Sequence, residues 1–169
     1  LRTIHDGKLI SFLSDADDVV RERATFAFGS IQDTAVIPLL MRNLSDPVDA
    51  VQLAAAFAIG QSATLLSPKG KINLESELIW KKLGYTRVDE RLIEEIGKFG
   101  SEDALNQLMI RYGTLFPRVY TNGLMMSIAR FAIRGIYNKE AIQYLTTFTK
   151  PQSAVNWRAM YALMRISTI

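Results

Sequence analysis

The chain has 169 residues, 49% apolar and 22% charged, with no cysteine, one histidine and a net charge of +3. This is the composition of a folded domain large enough to bury roughly 70% of its extended-chain surface. It excludes disulfides, thiolate metal sites, a cysteine nucleophile and any multi-histidine centre within one chain, and its apolar runs fall far short of the ~20 residues that span a bilayer.

Taken in chain order, apolar spacing predicts helices at 7–13, 19–31, 36–44, 50–62, 74–83, 87–99, 104–112, 124–136, 141–148 and 154–166. Asp33, Ser101 and Asn138 stand where N-caps belong, and Asp46-Pro47 reads as a cap followed by the proline of a first helical turn. Asp15, Asp17 and Asp18 lack the glycine and final glutamate of a calcium loop, so they are expected to cap a helix and favour its positive end. Two turn-rich stretches read as loops. One is 62–73, with Ser67-Pro68-Lys69-Gly70-Lys71; the other is 113–123, with Phe116-Pro117-Arg118.

The helices form a repeat. Aligned copies of the second helix of each pair begin on Val20, Val51, Val88, Met125 and Val155, at spacings of 31, 37, 37 and 30. Within the first copy Val20, Ala24, Ala27, Phe28 and Ile31 mark one face of a 3.6-residue helix. Ala55, Ala58, Ala129, Ala132, Ala159 and Ala162 recur at the small positions, where a neighbouring helix can approach closely. Glu95 is a misfit at such a position, which implies either a rotated helix or a partner for its carboxylate. The pattern predicts an all-α, α-α superhelix of about five helix pairs forming one domain over 1–169.

The segment Val20-Arg21, Ala24, Ala27-Phe28-Gly29, Ile31 and Asp33 resembles a HEAT repeat of the short bacterial, phycobilin-lyase-like type. The second copy matches apart from Gln52 in place of the arginine; the later copies keep the apolar spacing and lose most of the polar signature. The resemblance implies a right-handed superhelix with the second helices on the concave side. It also carries expectations of bilin-lyase-like activity and of a fused domain such as a cyclophilin-type prolyl isomerase. Leu1 in place of methionine, and the apolar Leu163, Ile166 and Ile169, lead us to expect a segment of a longer chain.

Catalysis has little to stand on. His5 is the lone histidine, and Glu94 reads as a helix-surface partner of Lys98. The candidate groove is a column six residues after each reference position, Phe26, Phe57, Phe131 and Tyr161, interrupted by Glu94. Arg130, Arg134, Arg158 and Arg165 flank it, and they would converge if their helix faces meet. From residue 104 onward eight basic residues stand against one acid, Glu140, whereas residues 1–103 carry twelve basic against sixteen acidic. We expect a non-catalytic scaffold that holds a protein or peptide and needs no cofactor. Nucleic-acid binding, in the manner of HEAT-like DNA glycosylases, is the alternative.

Overall fold

A computed structural model describes residues 7–83, 87–113, 120–149 and 156–167. Among these it contains helices and no strand. The second helices of the pairs are α2 (Asp18–Ile31), α4 (Asp49–Ala63), α6 (Arg87–Ile96), α8 (Thr121–Ile133) and α10 (Trp157–Ser167). The first helices are α1 (Lys8–Ser11), α3 (Ile37–Asn43), α5 (Pro68–Glu77), α7 (Glu102–Leu108) and α9 (Lys139–Thr146). Each second helix packs on the next, α2 on α4, α4 on α6, α6 on α8 and α8 on α10, while the first helices lie in a second layer against them. The described residues form an all-α solenoid of five helix pairs. His5, Val155, Ile169 and residues 114–119, which include Phe116-Pro117-Arg118, lie outside the described residues.

The core fills the space between the layers. Phe28, Leu40, Ile59, Leu78, Ile93, Leu105, Ile128 and Leu145 are buried there. Ala55, Ala58, Ala129, Ala132, Ala159 and Ala162 are fully buried, as close stacking of second helices requires. Glycines tighten two of the contacts. A methyl group on Gly60 would collide with the Glu95 carboxylate, and one on Gly97 would lie 2.5 Å from the Ser127 carbonyl oxygen. Gly60 and Gly97 occupy the same repeat position, so each marks where the following helix pair leans in.

Helix starts follow side-chain capping. Asp17 accepts from the Val19 and Val20 N–H groups, Ser101 Oγ from Ala104 N–H, and Asn138 Oδ1 from Ala141 N–H. Asp33 starts the 3-10 turn Thr34–Val36 that leads into α3. Two local expectations are corrected. Asp46 does not cap α4, whose cap position is Val48; it accepts from Val48 N–H at 3.0 Å and braces the entry turn instead. Ser67-Pro68-Lys69-Gly70-Lys71 is not a loop: Ser67 caps α5, with Pro68 in its first turn. α5 runs on through a π-helical turn, Leu78–Lys82, and α7 does the same through Met109–Gly113. Much of the longer spacing in the middle of the chain is therefore extra helix.

Candidate binding groove

The open face of the second-helix layer carries two connected cavities. One, of about 600 Å³, is lined by Glu22, Phe26, Leu53, Phe57 and Arg91, together with Ala50 and Ala54. The other, of about 280 Å³, is lined by Leu53, Arg91, Glu90, Glu94, Met126 and Arg158, with Asn122 and Gly123. Leu53 and Arg91 belong to both, so the two form one groove running from α2 to α10. Most of these residues sit two, three or six places after their repeat's reference residue, which is how a regular array turns sequence period into a continuous surface.

The aromatic end of the groove is built in steps. Phe26 is 51% exposed and stacks on Phe57, with ring centroids 5.0 Å apart and planes 14° apart. Phe57 lies against Gly29, where a side chain would displace it. The Arg91 guanidinium stands 5.4 Å from the Phe57 centroid and the Lys98 ammonium 5.3 Å from it, within cation–π range. Both cations are held from below by Glu95. Arg91 Nη2 is 2.9 Å from one carboxylate oxygen, Lys98 pairs with the other, and Arg130 adds a longer contact of 3.5 Å. Gly60 provides the space that this carboxylate occupies.

This resolves the Glu95 misfit. The residue is 1% exposed and has cationic partners at a position where the other copies place alanine. Burial pushes the Glu95 carboxyl above its ordinary range, while Lys98, Arg91 and Arg130 work against that shift. Burial likewise pushes the Lys98 ammonium down, opposed by Glu95. Lys98 therefore pairs with Glu95 rather than with Glu94. Glu94 instead binds Arg91 at 3.3 Å and the Arg130 guanidinium.

The other column residues have different surroundings. Phe131 is fully buried, its ring tucked under the turn after α6 beside Gly100, so it does not reach the open face. Tyr161 is half-buried against the core, with the Arg165 guanidinium 5.0 Å from its ring centre. The four arginines are held at four separate places. Arg130 donates to the Glu94 carbonyl and carboxylate, and Arg134 donates to the Gly97 and Gly100 carbonyls at 3.1 and 2.6 Å. Arg134 so satisfies two carbonyls of the turn between α6 and α7. Arg158 lies 4.6 Å from the Trp157 ring centre, and Arg165 on Tyr161. Of the four, Arg158 alone lines the groove.

Sequence reasoning missed Glu22, Leu53, Arg91 and Met126 as groove residues. The positions of Glu22, Leu53 and Arg91, two or three after the reference residue, lie about 40–60° from the aromatic column on the helical wheel and could have been read with it, whereas that of Met126, one after it, lies about 140° away. On the outer layer a cleft of about 670 Å³ lies between the first helices of the last two pairs, lined by Met109, Ile110 and Tyr144 among others, with Glu140 its one charged group. Among the described residues no helix is long and apolar enough to cross a membrane.

Residues 7–76 match the family model described as HEAT repeats. This stretch of the chain is similar to HEAT repeats. It covers the first two helix pairs of the solenoid and nearly all of α5, and so includes Glu22, Phe26, Leu53 and Phe57 of the groove. Among solved structures, the crystal structure of an engineered protein is similar at 17% identity and a TM-score of 0.49, over 95% of this chain and 78% of that one. No curated protein matches the chain. The third to fifth pairs continue the stacking of the matched segment without a break in the second-helix layer.

Proposed function

We propose that the chain is a non-catalytic interaction scaffold that holds a protein or peptide along the groove face of its second helices. One observation carries this reading. Phe26 and Leu53, both exposed, and the half-buried Phe57 form an apolar wall in an open groove, and buried charges hold that wall in place. Exposed aromatics in a shaped, partly apolar surface are what binding hot spots are made of. The short bacterial HEAT type remains part of the proposal, supported by Val20-Arg21 and Ala27-Phe28-Gly29. Arg21 now has a role in it, as its side chain bridges to Asp46 across the first two pairs.

The nucleic-acid alternative has less support. Its cations were to come from the basic half, yet Arg111, Arg130 and Arg134 are bonded to carbonyls and carboxylates within the array. The test is affinity capture from cells of the source with the wild type, Phe26→Ala and Leu53→Asp. A partner retained by the wild type and lost by both variants, with melting unchanged, is the expected result. A partner bound equally by all three contradicts the assignment of the groove.

A further inference from the structure

The charged groups lining the groove fall into two kinds. Arg91 and Glu94 are ion-paired, and Glu90 accepts from Gly123 N–H at the start of α8. Glu22 on α2 and Arg158 on α10 line the groove and make no ion pair among the described residues. One is an anion beside the apolar wall; the other is a cation, four helix steps away, lying over the exposed Trp157 ring. The other charges lining the groove are held by internal partners, so these two charges of opposite sign at its ends set its polarity.

We propose that the groove takes an extended peptide of polar order: a basic residue at Glu22, an apolar side chain next to it against Phe26, Leu53 and Phe57, and a carboxylate at the far end on Arg158. This rests on the scaffold reading and adds the chemistry of the partner. Leu53 on α4 and Arg158 on α10 line the same cavity of about 280 Å³, so the apolar wall and the cation are within reach of one short extended peptide. The apolar anchor belongs near the basic end, because the wall spans α2 and α4 whereas the α6–α10 stretch is polar. The carboxylate is an Asp or Glu side chain or the peptide's own C-terminus.

The test selects short peptides from a random library against the intact chain, then measures their affinity for wild type, Glu22→Lys, Arg158→Glu and Leu53→Asp. The expected families carry a basic residue close to an apolar one and a distant carboxylate. Each charge reversal should weaken them about tenfold, and the matching reversal in the peptide should restore binding. Amidated and free-acid versions tell a side-chain carboxylate from a terminal one. Binders that lose affinity with Leu53→Asp but ignore both reversals overturn this inference and leave the scaffold reading standing. Binders indifferent to Leu53→Asp, or no binders at all, overturn both.

Discussion

Replacing Glu95 with alanine gives the misfit position the residue that the other four copies carry, and yet it should destabilise the protein. The carboxylate is 1% exposed and its partner Lys98 has a side chain only 16% exposed. Removing one member of a buried pair costs about 3–5 kcal/mol, because the remaining charge stays desolvated. Arg91 and Arg130 keep Glu94, so the uncompensated charge is mainly Lys98 and the low end applies, about 3 kcal/mol. Glu95→Ala combined with Lys98→Met removes both charges and should return to within about 1 kcal/mol of the wild type. Urea unfolding followed by circular dichroism measures all three, with constant slope as the check on comparability. A neutral Glu95→Ala, or a double variant no better than the single, would refute the idea that the pair is held together by mutual compensation.

Other consequences concern single contacts. Asp46 sits below the usual carboxylate range because the Arg21 guanidinium binds it, with Val48 N–H adding to this. A depressed native value means that its stabilisation is complete above the unfolded value near 3.8 and is lost as pH falls through the lower one. Acid titration of the melting temperature should therefore show a smaller drop at that end for Asp46→Asn. Gly97→Ala should cost about 1–3 kcal/mol in urea unfolding, since the added carbon meets Ser127 backbone rather than a movable side chain. Phe131→Ala should cost about 3–5 kcal/mol, and Phe26→Ala at the same repeat position less than about 1; equal losses would contradict their different surroundings.

The array was legible because stacking demands it locally. Ala55, Ala129 and Ala159 recur where helices must come close, and Ser101 and Asn138 recur where a helix must start, so period and caps carried the fold. The start of α5 was also written in the chain, as Ser67-Pro68, but Gly70 and two lysines read as a loop; Pro68 at the first turn outweighed them. The groove was only half legible. A helical wheel places Phe26 and Phe131 alike, but whether a ring faces solvent depends on the preceding pair, and Gly100 opens a slot for Phe131 there. The arginines were read as a surface cluster because a wheel cannot show that Arg134 faces the carbonyls of the turn between α6 and α7. Arg91 was missed because its role comes from Glu95 and Phe57 together, a contact between helix pairs that no single repeat displays.

Thiol labelling reports most directly on whether the groove lies open along α2 and α4 and closes where Phe131 enters the core. The chain has no cysteine, so Phe26→Cys, Leu53→Cys and Phe131→Cys each place one thiol at a chosen point. The cysteines at 26 and 53 should react with a disulfide reagent within about tenfold of a free thiol, and the one at 131 at least about a hundredfold more slowly, limited by local opening. Protection at 26 and 53, or fast reaction at 131 in a chain that is still folded, would contradict the account.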